Sequence, residues 1–350
     1  MTKKSVVLLA MFYCTAIFAE ERVLKKQTLE IDGNAKESFL KITTSLILKD
    51  KTLFVLDNLG SNIKLFRINE NRIIYLKSIG VVGKGPGDIY LPISFSIDKD
   101  KIAIADNEGI SIFTLDGTFR SKFRIFSQTI SIAYSKNYIY QLTANPNLKN
   151  LILVYSENGA RKGDIYSKYL PADISKSKDI NLITWESFFY RGRIFAEDGN
   201  IYYLNIMLGT LSKLDHFGKT VSSISLAPAL DRRSATHIKE NHEMLRNGIK
   251  AEYPKDGGRL ITVKTICQDA YIFKDMLYLI GQDMESENVY LRSFNLLTMK
   301  PNNVYRFTIG SEDRIRSFAV GEDSGGIYFI IALDTDEGLG FVKCFGEKSE

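Results

Sequence analysis

The stretch Gly80-Val81-Val82-Gly83-Lys84-Gly85-Pro86-Gly87-Asp88-Ile89-Tyr90-Leu91-Pro92 is rich in glycine and contains two prolines. A short strand-like run follows it, and then comes Ile102-Ala103-Ile104-Ala105-Asp106-Asn107. Glycine tolerates backbone dihedrals that other residues avoid, and proline cannot donate a hydrogen bond to a sheet. The stretch is therefore typical of a connection that ends one strand and leads into another.

A glycine-rich loop of this kind can also cradle a phosphate, because its backbone N–H groups turn toward an anion. A nucleotide-binding loop opens a helix and carries a Lys-Ser or Lys-Thr pair, whereas here Pro86 and Pro92 lead into a strand. We therefore interpret Gly83–Gly87 as a crossover from the outer strand of one sheet to the inner strand of the next.

From about residue 22 onward, short apolar runs alternate with polar residues at a period of two, which predicts many short antiparallel strands. A strand followed by a polar turn recurs at Leu53–Asn58, Ile102–Asn107, Ile139–Leu142, Ile201–Asn205, Leu277–Ile280 and Ile327–Ile330. Asp116-Gly117, Asn158-Gly159 and the altered form Asp215–Gly218 supply the turn residues of tight hairpins. We predict that these hairpins lead to the outer strand of each unit.

The glycine stretch together with Ile102–Asn107 resembles the GxGPG(E/D) loop and "φφφAD" strand of bacterial six-bladed β-propellers related to the NHL-repeat group. The motif covers about residues 79–120, and the blade pattern extends from about Ile31 to the end. The resemblance implies an all-β fold, a six-bladed β-propeller of four-stranded antiparallel blades. Similar propellers serve as binding scaffolds, lactonases, lyases and sugar-acting enzymes, so the fold alone does not define a function.

The ring of blades needs a closing device, because the last unit ends at Phe341–Phe345 without room for a fourth strand. We expect the N-terminal strand Arg22–Ile31 to complete that blade and cover its open edge. Residues 20–350 are thus predicted to form one domain.

One segment departs from the strand pattern. Ile238, His242, Leu245 and Ile249 recur at helical spacing, and Asp231 or Ser234 can cap the start, which predicts an amphipathic helical insertion at about residues 231–253, between blades four and five. The helix is expected to cover part of the propeller, with a partner-binding role as the alternative.

The N-terminus has the pattern of an export signal: Lys3 and Lys4, an apolar run from Ser5 to Phe18, and the small residue Ala19. Cleavage after Ala19 predicts a periplasmic or extracellular protein with no transmembrane segment. A retained membrane anchor and a lipid at Cys14 are the alternatives, although the apolar run is short for a spanning helix. The formal charge of +5, without any long Lys/Arg block, argues against a nucleic-acid partner.

After cleavage, two cysteines and three histidines remain. Cys267 and Cys344 are expected to be buried thiols, with a single bridge between them as the alternative. His216, His237 and His242 do not share a helix face or a nucleophile-elbow motif, which disfavours a zinc site or a Ser-His-Asp triad.

The turns after the second strand of each blade are unevenly acidic. We take the following as candidate ligand-binding residues: Asp57, Asn58, Asp106, Asn107, Glu108, Asp283, Asp334 and Asp336. Glu285, Glu287 and Glu337 add to the same charge, which would attract a cation or a basic peptide. The plainer interpretation is that Asp57 and Asp106 only accept hydrogen bonds from turn N–H groups.

A calcium ion held by Asp57, Asp106 and Asp334 is the sharpest form of the ligand hypothesis, although no EF-hand spacing supports it. Tyrosines such as Tyr202 and Tyr278, with Trp185, could stack on sugars, but we expect the tyrosines to pack between blades. We predict an exported, non-catalytic scaffold that binds a protein, peptide or carbohydrate without a cofactor. The alternative is a calcium-dependent hydrolase or lyase with its site in the central channel.

Overall fold

A computed structural model describes residues 20–32, 40–125, 127–143, 145, 148–167, 189–197, 199–215, 218–246, 265–282, 287–336 and 338–346. The predicted signal peptide with Cys14, as well as Trp185, His216, Asp283, Glu285 and Glu337, lies outside these ranges.

Most described residues belong to strands of four-stranded antiparallel units, whose strands follow the chain order except that the last unit takes its fourth strand from the N-terminal end of the chain. Unit 1 contains β3 (Thr43–Lys49), β4 (Thr52–Asp57), β5 (Asn62–Asn69) and β6 (Arg72–Ile79). Unit 2 contains β9 (Ser94–Asp98), β10 (Lys101–Ala105), β11 (Ile110–Thr114) and β12 (Phe119–Phe123). Unit 3 contains β13 (Thr129–Ser135), β14 (Tyr138–Thr143), β15 (Asn150–Ser156) and β16 (Arg161–Ser167).

Unit 4 contains β17 (Gly192–Glu197), β18 (Asn200–Asn205), β19 (Thr210–Leu214) and β20 (Thr220–Ser225). Unit 5 contains β21 (Asp269–Phe273), β22 (Met276–Gln282), β23 (Asn288–Asn295) and β24 (Lys300–Thr308). Unit 6 contains β25 (Arg314–Asp323), β26 (Gly326–Thr335), β27 (Gly338–Phe345) and, from the other end of the chain, β2 (Lys25–Asp32). The remaining elements are β1 (Glu20–Val23), β7 (Val81–Val82), β8 (Asp88–Ile89), a 3-10 turn (Ala227–Ala229) and helix α1 (Arg232–Arg246).

The first strand of each unit lies innermost, and these inner strands follow one another around a centre. β3 lies beside β9, β9 beside β13, β13 beside β17, β17 beside β21 and β21 beside β25, and β25 returns to β3. A sheet with two apolar faces must bury both, so neighbouring units stack face to face. The core between units 1 and 2, for example, contains Phe54, Phe95 and Phe113. The chain is a β-propeller.

The N-terminal segment closes the ring, as predicted from the sequence. In β2, Lys25–Leu29 pairs antiparallel with Phe341–Phe345 of β27 and supplies the missing fourth strand of unit 6. The same strand then pairs in parallel, through Glu30–Asp32, with the outer edge of unit 1 at Arg72–Ile74. On the other side, β1 adds a parallel fifth strand to β24 of unit 5. Residues 20–32 therefore tie three consecutive units together, a wider role than the sequence indicated.

The glycine-rich stretch is a crossover from β6 to β9, which confirms its structural interpretation. Gly80 and Gly87 have φ angles of +80° and +81°, values that L side chains rarely adopt. Asp88 closes the loop because its Oδ2 accepts the Gly85 N–H at 2.9 Å. A Cβ at position 83 would lie only 2.2 Å from that Oδ2, so only glycine fits there while the loop keeps this shape.

The predicted hairpins lead to outer strands as expected. The Asp116 side chain accepts the Thr118 N–H at 3.1 Å, and the Asn158 side chain accepts the Ala160 N–H at 3.2 Å. These side chains fix the turns before β12 and β16, and Asp215 does the same for Lys219 before β20. Local turn chemistry thus sets the register of the outer strands.

Helix α1 packs on unit 4, between the fourth and fifth units, where the insertion was predicted. Asp231 caps its start, since Oδ1 accepts the Ser234 N–H at 2.8 Å. Asn241 donates to the Met207 carbonyl at 2.7 Å, and Ile238 and Leu245 are buried. The helix therefore covers the turn between β18 and β19, and the part of the insertion after Arg246 lies outside the described residues. Within the described part of the chain, no helix has the length and apolar character needed to cross a membrane.

Cys267 and Cys344 are buried, unbridged thiols. Burial raises the pKa of each to about 12, so both are inert small side chains at neutral pH. Tyr202, Tyr203 and Tyr278 are fully buried in the clusters between units, as expected of packing residues.

Candidate functional site

We call one end of the propeller the turn face. It carries the β4–β5 turn (residues 58–61), the β10–β11 turn (residues 106–109), the crossover of residues 80–93 and helix α1. The pairing of Ile63 with Ile79 brings the end of β6 to the same end of the sheet as the β4–β5 turn. The predicted ligand-binding residues of units 1 and 2 all lie on this face.

Asp57 ends β4 with a fully buried side chain whose carboxylate is occupied by backbone donors. Its Oδ1 accepts the Gly60 N–H at 3.0 Å, inside its own turn. The two oxygens also accept the N–H groups of Ile42 at 3.0 Å and Lys41 at 3.1 Å, in the chain that enters β3. This carboxylate therefore fastens the entry of unit 1 to its turn.

Asp106 plays the same part in unit 2. Its Oδ1 accepts the N–H groups of Glu108 and Gly109, both at 2.8 Å, and its Oδ2 accepts the Tyr90 N–H at 3.1 Å. The Lys122 ammonium lies 3.1 Å from Oδ2, and the two side chains are 14% and 1% exposed, respectively. Asp106 thus joins the glycine crossover, the β10–β11 turn and the outer strand β12 of its unit.

Of the other predicted residues of units 1 and 2, Asn58 and Glu108 contact the crossover, and Asn107 is exposed to solvent. Asn58 donates to the Pro92 carbonyl at 2.6 Å and so holds the crossover against unit 1. Glu108 pairs with Lys84 at 3.1 Å across the glycine loop, and Asn107 is exposed. These are the side chains that a ligand on the turn face would meet.

The acidic residues of unit 6 are placed differently. Asp334 binds the Arg316 guanidinium, with Nε 2.6 Å from Oδ2, and Asp336 is exposed. The structure does not bring Asp334 together with Asp57 and Asp106: among the described residues, no three His, Cys, Asp or Glu side chains converge as a metal site would require.

Unit 4 has an amide in the equivalent place, and the sequence analysis did not assign it this role. The Oδ1 of Asn205 accepts the N–H groups of Met207 at 3.0 Å and Leu208 at 2.9 Å, while its Nδ2 donates to the Phe189 carbonyl. Asp57, Asp106 and Asn205 thus occupy equivalent positions, and each accepts backbone N–H groups of the turn that follows it. The signal was their shared position at the end of the second strand, where a short side chain can reach turn N–H groups.

A second candidate surface lies in the central channel. A cavity of about 280 Å³ is bounded by the inner strands of units 1 to 5, and its lining includes Ser45, Ser94, Ser131, Arg193 and Asp269. Arg193 and Asp269 form an ion pair, with Nη2 2.5 Å from Oδ1. The Asp269 side chain is 2% exposed, whereas that of Arg193 is 27% exposed and so remains in reach of solvent.

The Asp269 carboxylate accepts several hydrogen bonds in addition to its ion pair with Arg193. Besides Arg193, it accepts the Ala270 N–H at 2.7 Å, the Ser317 hydroxyl at 2.5 Å and the Phe318 N–H at 3.3 Å. Burial raises the pKa of Asp269, and the Arg193 charge together with these hydrogen bonds offsets part of that rise. This side chain belongs to unit 5 but holds the inner strand of unit 6.

Hydroxyl groups make the same kind of contact elsewhere around the channel. The Ser94 and Ser96 oxygens of β9 accept the N–H groups of Ile132 and Tyr134 in β13 at 3.1 Å and 3.0 Å. Contacts of the same kind join Ser131 to the Ile194 N–H and Ser317 to the Leu46 N–H. Each satisfies a backbone donor of the next inner strand that has no sheet partner on that side.

This ring of channel-facing hydroxyls was not predicted from the sequence. Its signal was the alternation of Ser and Asp with apolar residues in Ser94-Phe95-Ser96-Ile97-Asp98. Asp98 completes the series by accepting the Lys136 N–H at 2.8 Å.

Solved structures of other proteins have a similar fold. A "Putative exported protein" from Bacteroides fragilis aligns over 94% of this chain and 99% of its own, with a TM-score of 0.56 and 12% identity. A member of the DUF4221 family from Bacteroides vulgatus aligns over 93% and 96%, with a TM-score of 0.53 and 11% identity. This chain shares their fold.

A protein of unknown function from Bacteroides thetaiotaomicron is similar over 93% of this chain and 76% of its own, with a TM-score of 0.51 and 10% identity. No protein-family model matches the chain, and no curated protein matches it. At these identities the likeness concerns the fold and carries no information on activity.

Proposed function

We propose that this chain is an exported, six-bladed β-propeller of the NHL-related kind, formed by residues 20–350, that acts as a non-catalytic scaffold and binds a protein partner through the turn face. The observation that carries the proposal is a group of exposed apolar side chains on that face. Leu59 is 48% exposed, Val81 64% and Val82 65%. Clustered exposed apolar side chains with a polar rim are typical of protein-binding surfaces.

The polar rim is present beside these side chains. Lys84 follows Val82 by two residues, is 65% exposed, and pairs with Glu108. The Lys84 ammonium also lies 5.0 Å from the centre of the Tyr90 ring. A face that combines exposed apolar side chains with a charged pair has the composition usual for a transient interface.

A scaffold role is further supported by what the turn carboxylates already do. Asp57 accepts three backbone N–H groups, and Asp106 accepts three together with the Lys122 ammonium. A general base or a calcium ligand needs a free lone pair directed at its target. Binding calcium at Asp106 would require the protein to give up one of these contacts, and the Asp57 side chain is fully buried beside its donors.

Export is supported by the order of Lys3 and Lys4, the apolar run and Ala19. The Bacteroides fragilis protein of similar fold carries the description "Putative exported protein". The six units and their closure by β2 support the blade number.

The test places a photo-crosslinking amino acid at position 59 and, as a matched control, at position 297. Leu297 is 67% exposed and follows β23, in the hairpin to β24 at the opposite end of the sheet. We expect a discrete protein adduct in the producing cells from position 59 only. Adducts from both positions, or from position 297 alone, would refute the turn face as the binding surface.

Calcium and the enzyme alternative are tested on the same protein. We expect the thermal midpoint of residues 20–350 to be unchanged between calcium and a chelator, because the turn carboxylates are occupied. A calcium-specific rise that the chelator reverses would favour the hydrolase or lyase, since only a ligand of the folded state stabilises it. A rise with a sugar or a peptide would instead change the class of partner.

A further inference from the structure

The central channel contains more hydrogen-bond donors than its own side chains use. Among the described residues, Asp269 is the charged partner of Arg193, with its Oδ1 2.5 Å from Nη2, and the Arg193 side chain is 27% exposed. The Ser45 hydroxyl, whose residue is 8% exposed at the cavity wall, makes no hydrogen bond to the described part of the protein. A guanidinium can donate five hydrogen bonds in a fixed planar fork, so most of its capacity remains for another molecule.

The serines of the ring add to this surplus. Ser94 and Ser131 use their oxygens as acceptors for Ile132 and Ile194, which leaves each hydroxyl proton free to donate. Both residues line the same cavity as Arg193 and Ser45. Three hydroxyl donors and a guanidinium therefore border one cavity of about 280 Å³.

Arg193 and Asp269 balance in formal charge, but their exposure differs, with 27% of the Arg193 side chain exposed and 2% of that of Asp269. Asp269 shares its negative charge among four donors, of which Arg193 is only one. The Asp269 carboxylate is buried among its donors, whereas the Arg193 side chain borders a partly solvated cavity. Glu197 and Lys49 also line the cavity and carry opposite charges. Because the Arg193 guanidinium is the more accessible member of its ion pair, an incoming acceptor with negative charge would meet the cation first.

We propose that the channel cavity binds a small oxyanion of the carboxylate or sulfate class, held by the free edge of the Arg193 guanidinium and by the hydroxyls of Ser45, Ser94 and Ser131. A carboxylate or a sulfate can present two oxygens to the guanidinium fork and accept two parallel hydrogen bonds. The site stands on the inner strands and is independent of the turn face, so it goes beyond the proposed scaffold function. The cavity volume is at the small end of ligand pockets, which limits the ligand to about the size of one sugar acid.

The test is calorimetric titration of residues 20–350 with sodium glucuronate, sodium acetate and sodium sulfate at constant ionic strength, with glucose as the neutral control. We expect saturable binding of at least one anion, with a Kd of about 1 mM or tighter, and none of glucose. Binding of glucuronate and acetate without sulfate identifies a carboxylate ligand. Sulfate alone identifies an inorganic anion.

Three variants localise the site. Ser45→Ala removes a free donor and breaks no contact of the fold, and we expect about a tenfold loss of affinity. Arg193→Lys keeps a charge beside Asp269 but loses the fork, and we expect at least a tenfold loss. Lys300→Gln removes one exposed positive charge outside the channel and should leave binding unchanged.

Absence of saturable binding by all three anions overturns the proposal. Equal weakening by Lys300→Gln, with no effect of Ser45→Ala, also overturns it because the binding would then follow overall charge. If Arg193→Lys does not fold, Ser45→Ala against Lys300→Gln decides the question alone.

Discussion

Replacement of Asp106 by Asn changes one carboxylate oxygen to an amide group in the most connected turn of the propeller. The amide oxygen can still accept the N–H groups of Glu108 and Gly109, which now lie 2.8 Å from Oδ1. The new amide nitrogen, however, faces the Tyr90 N–H and the Lys122 ammonium, both 3.1 Å from Oδ2. The amide nitrogen, the Tyr90 N–H and the Lys122 ammonium are then three donors that face one another with no acceptor between them.

The expected loss of unfolding free energy follows from the burial of the Asp106–Lys122 ion pair. Breaking a buried ion pair on one side costs about 3–5 kcal/mol, because the remaining charge is left without compensation. The Lys122 side chain is 14% exposed and keeps its bond to the Asp88 carbonyl at 3.1 Å, which places the loss near the lower end, about 3 kcal/mol. Asp106→Ala also abandons the turn N–H groups and should cost about 1 kcal/mol more.

The assay is the free energy of unfolding in urea for the wild type, Asp106→Asn, Lys122→Met and the double variant. We expect the double variant to be less destabilised than the sum of the two singles, since it leaves no unpaired ammonium. Asp116→Asn is the matched control, because Asp116 lies in an exposed hairpin turn and the amide oxygen can still accept the Thr118 N–H. A loss below about 1 kcal/mol for Asp106→Asn, or strictly additive effects, would refute the role assigned to this carboxylate.

Gly83→Ala should lower the unfolding midpoint in urea, because the new Cβ would displace the Asp88 carboxylate from the loop. Gly281→Ala is the control and should leave the midpoint unchanged, because a Cβ there meets nothing within 4 Å. Equal effects of the two substitutions would contradict the role of Gly83. Deletion of residues 20–32 should abolish cooperative thermal unfolding, since it removes the strand that closes the ring, and a normal transition would show that closure is dispensable. Hydrogen bonds from Ser234 and the Arg292 charge outweigh burial and lower the pKa of Asp231, so its stabilisation is present above about pH 4 and is lost as the pH falls through the lowered value. Acid titration of unfolding should therefore show the wild-type advantage over Asp231→Asn shrinking below about pH 4, and a constant difference would argue against it.

The sequence predicted the local features of this protein well, because each depends on neighbouring residues. Asp116-Gly117 and Asn158-Gly159 form the hairpins expected of them, and the glycine stretch forms the expected crossover. Helix α1 begins where Asp231 can cap it. Dihedral preference and capping act within a few residues, so they are visible in a short window.

The candidate site was predicted only in part. Asp57 and Asp106 were recognised as important, but whether their oxygens face a ligand or their own backbone depends on partners 16 residues away, such as Lys41 and Tyr90. Arg193 and Asp269 meet between the neighbouring inner strands β17 and β21 although 76 positions separate them, and no periodicity in either strand predicts the pair.

By itself, the sequence determined the strand pattern, the turns, the crossover and the use of the N-terminal strand to close the last blade, because alternation, turn residues and an unpaired edge are local or countable properties. Only the tertiary structure decided which polar side chains point inward. Stacking units in a ring places the inner strands side by side, so hydroxyls and charges far apart in the chain meet at the channel. Only the ring determines whether a polar side chain makes its hydrogen bonds to the next unit, as Asp269 does, or borders the open cavity, as Arg193 does.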